Sequence, residues 1–196
     1  PTTSNIPTGL DNKGSANVPT RFIMGETEVT YDLWYDVYKW ATTDVGGGKR
    51  ADGGVLYVFA NAGREGSKGK IGALPTSKKK HPVTTVSWRD MIVWCNAFTE
   101  FYNCKNGSAE DLLPLYYSDP SYAIPIRKSK DEDYPKSIND NLGSCDKPYV
   151  NQNAKGFRLP ESIEWEFSVR YIGKTKPSHS NYILKDGIYY TKGYSA

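Results

Sequence analysis

The chain has 196 residues, with 25 lysines and arginines against 22 aspartates and glutamates. That length supports one domain with a substantial core, burying about 70% of its unfolded surface. The near balance of charge gives no electrostatic case for nucleic acid or an anionic membrane, and no apolar run approaches the roughly 20 residues of a spanning helix.

Residues 1–20, rich in Thr, Ser, Asn, Pro and Gly, read as a flexible N-terminal arm, leaving 21–196 as the folded domain. The opening Pro1 in place of methionine leads us to expect a segment upstream. Thr30 is placed to cap a first helix of about a dozen residues, with Trp34, Val37, Tyr38 and Ala41 along its buried stripe and Asp32 near the positive end of its dipole. A glycine-rich insert follows, and Val55-Leu-Tyr-Val-Phe59 inside it reads as a strand. A second helix opens at Ser87, with Asp90 completing an approximate capping box, and is expected to bury Met91, Trp94, Cys95, Phe98 and Tyr102. Residues 103–155 carry few periodic signals, although Leu115-Tyr-Tyr117 and Ser121-Tyr-Ala-Ile124 are expected to pair across Asp119-Pro120. Phe157 and Leu159 flank Arg158 as in a short buried strand. A third helix begins after Pro160, with Glu161 and Glu164 near its N-terminus and Ile163, Phe167 and Tyr171 on one face.

Few spacings point to chemistry. Cys95 reads as a buried thiol on the second helix. Cys104 and Cys145 bracket the second insert; a bridge between them would close a loop of about 40 residues for roughly 3–4 kcal/mol, with unpaired thiols as the alternative. There is no C-x-x-C, and His81 and His179 have no ligand-like spacing, so neither a metal site nor a cofactor is assigned. The Gly63-Arg-Glu-Gly66-Ser-Lys-Gly69-Lys70-Ile71 stretch fails as a phosphate loop, because Ile71 stands where a magnesium-binding hydroxyl belongs. Asp131–Asp133 and Asn139–Asn141 lack the glycine and closing glutamate of an EF-hand. Lys78-Lys-Lys80-His81, without interleaved aromatics, reads as a solvated loop. Tyr182, Tyr189, Tyr190 and Tyr194 sit among Ser, Gly, Asn and Lys. Such tyrosines offer contact area at low rotamer cost and are candidate ligand contacts, with the packing of a hairpin as the other reading.

Three phrases occur in a fixed order: Phe22-Ile-Met-Gly25-Glu-Thr-Glu28-Val-Thr30, Pro82-Val-Thr-Thr-Val-Ser87-Trp88-Arg-Asp90, and Gly156-Phe-Arg158-Leu-Pro160-Glu-Ser-Ile-Glu164-Trp165-Glu166. The ordered set resembles the formylglycine-generating-enzyme (sulfatase-modifying-factor) domain, a branch of the C-type-lectin fold. The resemblance runs over residues 21–171 and is interrupted by two long inserts. It implies an α+β, C-type-lectin-like fold of the formylglycine-generating-enzyme subtype. Trp34, Trp88, Trp94, Arg158 and Trp165 would then be scaffold, with the last three indoles of that set each burying on the order of 200 Å². Arg158 would reach Glu164, Glu166 or local carbonyls. Glu161 departs from the family, which has Thr as the helix cap there.

The long tyrosine-bearing inserts look most like surface lipoproteins of treponemes, including a group of variable proteins whose C-terminal segment is diversified by a retroelement. That likeness implies a non-catalytic scaffold at a bacterial cell surface or outer membrane, with a lipid anchor upstream and a protein or glycan as ligand. The competing expectation is a copper-dependent oxidase that converts a sulfatase cysteine to formylglycine. The family's copper-binding cysteine pair lies in a late segment, onto which Cys95, Cys104 and Cys145 do not map. The domain therefore reads as lacking its C-terminal part, and no catalytic or calcium-binding residue is carried over. Glu164 and Glu166, two positions apart on a helix, would point about 200° away from each other, which argues against joint acid–base work.

Overall fold

Two helices organise the larger part of the computed structural model, which describes residues 5–8, 14–18, 21–76, 80–107, 112–130 and 142–192. The chain order is β1 (Asn5–Thr8), β2 (Gly14–Asn17), α1 (Tyr31–Thr42), β3 (Arg64–Glu65), β4 (Val83–Thr84), α2 (Trp88–Asn106), β5 (Tyr116–Tyr117), β6 (Tyr149–Val150), α3 (Ser162–Arg170), β7 (Tyr171–Gly173), β8 (Tyr182–Lys185) and β9 (Ile188–Thr191). These elements fall into two units, Gly25–Leu159 and a second made of Pro1–Met24 with Pro160–Ala196.

In the larger unit, Thr30 caps α1, its hydroxyl accepting from the Leu33 amide, and Tyr31, Trp34, Val37 and Ala41 are buried. Ser87 and Asp90 close a full capping box at α2, and the helix ends at left-handed Gly107. The two helices meet through stacked indoles: the Trp34 and Trp94 ring centroids lie 5.4 Å apart with planes 5° from parallel. Trp34 Nε1 donates to Ala62 O at 2.9 Å, so the buried indole is satisfied. The next residue has to be glycine. Gly63 has φ +73°, and a Cβ there would come within 2.9 Å of Trp34 Nε1 and of a Val83 methyl.

The phrases that marked the sequence act as docking points. Tyr31 N donates to His81 O and Val83 N to Val29 O, pairing the first phrase with the second. In the third, Phe157 N donates to Thr99 Oγ1 and Leu159 N to the Tyr116 hydroxyl, fastening it to α2 and β5. Gly156 permits that approach, since a Cβ would lie 2.3 Å from Leu113 O. Buried Asn96 serves as a second bracket, donating to Tyr116 O and Ile126 O and accepting from Tyr116 N.

Several expectations change. Val55–Phe59 is not a regular strand, because its backbone bonds are shared among different partners. Tyr57 N goes to Ala41 O and Val58 N to Arg127 O, while Val58 O accepts from Ser129 N. Of the expected hairpin, Ser118 N–Ile124 O and Ile126 N–Tyr116 O form, but β5 takes β6 as its antiparallel partner. Phe157–Leu159 forms no strand; Phe157 instead stacks on Phe98 with centroids 4.0 Å apart.

Trp88 is 55% exposed and Trp165 58% exposed, so neither is the buried anchor the resemblance implied. Trp88 is the first residue of α2, and helical Cα–Cβ bonds tilt toward the N-terminus, so its indole leans past the helix end, with no earlier turn to cover. Trp165 lies two residues from both Ile163 and Phe167, about 200° round the helix from the face that packs. Cys104 is exposed while Cys145 is buried, with Sγ 3.3 Å from Lys128 O; the bridge between them is not made.

In the smaller unit, β1 and β2 pair antiparallel within the segment read as an arm. At the start of α3, Glu164 accepts from the Glu161 amide at 2.8 Å, the reciprocal contact of a capping box with Glu161 at the N-cap. Strands β7, β9 and β8 form an antiparallel sheet in that order. The β8–β9 turn is Asp186-Gly187 with φ of 52° and 76°, the signs a two-residue type I′ hairpin needs. Val18, Phe167 and Tyr190 form this unit's core, with Phe22, Ile163, Ile183 and Ile188 packed around them.

Candidate functional site

The first turn of α2 carries a carboxylate with more than a capping role. Asp90 is fully buried. Its Oδ2 accepts from the Ser87 amide, the Ser87 hydroxyl and Asn61 Nδ2 at 2.7–2.8 Å. Its Oδ1 accepts from the Ser129 hydroxyl at 2.5 Å and from the Ala60 and Asn61 amides at 3.1 and 3.3 Å. Burial alone would raise its pKa; hydrogen bonds from Ser129, Asn61 and Ser87 outweigh that and hold the carboxyl below the usual aspartate value. One anion therefore ties a helix start to both inserts.

Above this anchor opens a cleft of about 480 Å³ lined by Ala60, Asn61, Ser87, Trp88, Arg89, Ser129, Lys130 and Asp146. Trp88 supplies its one large apolar surface. Arg89 grips Asp146 bidentately, Nε to Oδ1 at 2.8 Å and Nη2 to Oδ2 at 2.5 Å, across 57 residues of sequence. The inserts are stiffened further by a buried charge cluster. Arg50 lies 4.0 Å from the Trp40 ring centroid and bonds Asp52 through two nitrogens. Glu100 forms ion pairs with both Arg50 and Arg127, at 3.0 Å and 2.5 Å. Asp52 is held below the usual carboxylate range, chiefly by its hydrogen bond from Arg50.

The residues singled out from sequence are not brought together. Tyr190 is fully buried in the core of the smaller unit, and its hydroxyl finds no hydrogen-bond partner among the described residues, so it packs rather than presents. Tyr182 and Tyr189, on the opposite face of the β8–β9 ribbon, meet edge to face at 5.1 Å and are partly exposed. Tyr194 lies outside the described residues, as do Asp131–Asp133 and Asn139–Asn141. Trp34 and Trp94 are buried scaffold. Arg158 Nη1 donates to the Leu159 carbonyl, and Glu166 pairs with Arg170 at 2.7 Å. Cys95 is buried, which pushes its thiol up to about 12 against the opposing charge of Arg158. Among the described residues, no three His, Cys, Asp or Glu side chains gather as a metal site would need, and no helix is long and apolar enough to cross a membrane. Sequence reasoning missed Asn61, Ser129, Lys130 and Asp146, which sit in aperiodic loops with no local signal.

Comparison with known proteins agrees with the architecture. Over 90 residues the chain is 28% identical to the chaperone protein LppX of Paenibacillus barcinonensis, covering 46% of this chain and 26% of that protein. The crystal structure of CarF is similar at a TM-score of 0.50 and 23% identity, over 86% of this chain and 54% of CarF. Treponema denticola variable protein 1 is similar at a TM-score of 0.47 and 23% identity, over 86% and 49% of the two chains. The chain thus spans about a quarter of the first relative and about half of each solved structure. At this identity the likeness to CarF shows the fold alone. The model of the sulfatase-modifying factor enzyme 1-like domain matches residues 10–193. With its three phrases in place and an α+β, C-type-lectin-like frame built on them, the chain belongs to the sulfatase-modifying factor enzyme 1-like (formylglycine-generating-enzyme type) family.

Proposed function

We propose that this chain is a non-catalytic ligand-binding and display domain held at a bacterial cell surface. The observation that supports it is Trp88, an indole more than half exposed at a cleft whose floor is pinned by a fully buried carboxylate. Convergent polar groups around an aromatic surface are binding chemistry. The hydroxyls there are spent on structure, since Ser87 and Ser129 both donate to Asp90. Tyr182 and Tyr189 belong to the same reading as outward-facing contacts on the smaller unit. Surface location, an upstream lipid anchor and a diversified C-terminal surface rest on the resemblance of the inserts to treponemal surface lipoproteins.

Saturation-transfer NMR against panels of saccharides, peptides and nucleotides, repeated with Trp88→Ala, tests the cleft. A saturable signal lost in the variant supports the proposal. Copper-dependent oxygen consumption on a Cys-x-Pro-x-Arg peptide, or no saturable ligand in any panel, counts against it. Location is read by membrane-impermeant biotinylation of cells making the full-length protein, and an unlabelled protein removes that part.

A further inference from the structure

We propose that the loop 66–76, with Lys80 beside it, docks on a bilayer surface rich in anionic phospholipid headgroups. This surface shares no residue with the cleft beside Trp88.

The near balance of charge over the whole chain hides a local excess. Between positions 64 and 81 stand six bases, Arg64, Lys68, Lys70, Lys78, Lys79 and Lys80, against one acid, Glu65. Lys78 and Lys79 lie outside the described residues, whereas Lys68, Lys70 and Lys80 are exposed. Glu65 offsets little of this outwardly. It is 7% exposed, and its two oxygens accept from the Thr76 amide and hydroxyl at 2.9 Å each. The first phrase, paired to this region through Val29 and Tyr31, adds Glu28 and Asp32 at the flank, which still leaves six bases to three acids.

The same loop displays what a folded domain normally hides. Leu74 is 75% exposed and Ile71 63% exposed. The backbone that carries them is fastened. Gly69 N bonds Glu65 O, Gly72 N bonds Gly63 O at 2.8 Å, and the Ala73 carbonyl accepts from the hydroxyl of buried Tyr31 at 2.7 Å. Two aliphatic side chains are thus held outward among lysines, which lowers the ordering cost of binding.

The composition of the loop separates a bilayer from other anionic partners. Single-stranded nucleic acid is bound by stacking on aromatic rings as well as by charge, and none occurs from Arg64 to Lys80. A protein partner of standard size contacts about 20–30 residues a side, far more than this loop supplies. A bilayer needs no such area. Its anionic headgroups draw the lysines, and its acyl boundary receives Ile71 and Leu74.

Co-sedimentation of the whole chain with vesicles tests this, using phosphatidylcholine alone and phosphatidylcholine with about 30% phosphatidylglycerol. Saturable binding is expected to the mixed vesicles only, and weaker at high salt. Lys68→Gln with Lys70→Gln should lower the affinity about tenfold or more, because each cation near such a surface contributes about fivefold. Ile71→Ser with Leu74→Ser should also lower it about tenfold, while retention on dextran sulfate, which has no apolar interior, stays unchanged. Lys174→Gln with Lys176→Gln, an equal loss of charge at exposed positions elsewhere, should stay within about twofold. All six positions are exposed, so an unchanged melting temperature checks the fold. If the control pair matters as much as the loop pair, the attraction is diffuse and the loop has no part in it. Full vesicle binding after Ile71→Ser with Leu74→Ser rules out docking by insertion. Loop-dependent binding to DNA or dextran sulfate, without binding to vesicles, assigns the loop to a soluble polyanion instead. Binding to neither vesicle overturns the lipid assignment, whatever Trp88→Ala does in the cleft.

Discussion

Ser129 Oγ donates to Asp90 Oδ1 at 2.5 Å, joining residues 39 apart in the chain. The same carboxylate caps α2 and holds the Ala60 and Asn61 amides. Replacing it strands several buried donors at once. Asp90→Ala is expected to cost about 4 kcal/mol, where loss of an ordinary helix cap costs about 1 kcal/mol. Urea denaturation of the two proteins measures the difference.

Acid should weaken the fold through this residue. The folded Asp90 titrates below the usual 3.8, so near that pH an unfolded chain binds a proton that the folded chain does not. Its contribution is therefore complete above about pH 3.8 and is lost as pH falls through the lower folded value. The stability gap between wild type and Asp90→Asn should narrow below that pH and be level above it, as read by denaturation at a series of pH values.

The tryptophans should separate into two classes. Trp34→Ala or Trp94→Ala empties a stacked, buried pair and is expected to cost about 3–5 kcal/mol. Trp88→Ala removes an exposed indole and should stay within about 0.5 kcal/mol. Thermal melts compare them directly. A Trp88 variant as unstable as Trp94→Ala would show that the first turn of α2 packs differently.

Glu100 stands between Arg50 and Arg127. Glu100→Leu leaves nearly buried Arg50 with Asp52 as its remaining carboxylate, beside the Val55 carbonyl and the Trp40 ring, and should cost about 3 kcal/mol. Adding Arg127→Met should recover part of that loss, because one stranded charge is then gone. A double-mutant cycle reports the coupling.

The thiols should differ sharply in reactivity. Cys104 is exposed on α2 and should react with a disulfide reagent in the native protein. Cys95, with its pKa pushed to about 12, holds only about one thiolate in ten thousand at pH 8 and should react on unfolding, as should Cys145. Native labelling of one thiol per chain, rising to three in denaturant, is the expected count. A mass lower by two hydrogens would reveal a bridge instead.

What could be read in advance was local. Thr30 and the Ser87–Asp90 pair announce helix starts within three residues, and both helices begin there. Trp34, Val37 and Ala41 kept their helical stripe for the same reason. The second role of Asp90 was invisible, since Ala60, Asn61 and Ser129 lie about 30 to 39 residues away in stretches without periodicity. Exposure of Trp88 followed from its place at the very start of α2, which composition does not encode. Asp186-Gly187 was a legible hairpin signal. Read with period-two alternation, it would have put Tyr190 inward and Tyr182 and Tyr189 outward before any coordinates.

The bonding of Val58 bears on how this domain can diverge. Its amide and carbonyl are both taken by residues 127 and 129, and two residues on, Ala60 N bonds Ser129 Oγ and Asp90. Growth of either excursion away from those anchors adds only about 0.6 kcal/mol of closure entropy per doubling of length. One residue added between Val58 and Ala60 would throw the anchoring bonds out of step together. Insertions in the outer arcs are therefore expected to be borne with little loss of stability, while a change of spacing at the base should unfasten both excursions from α2.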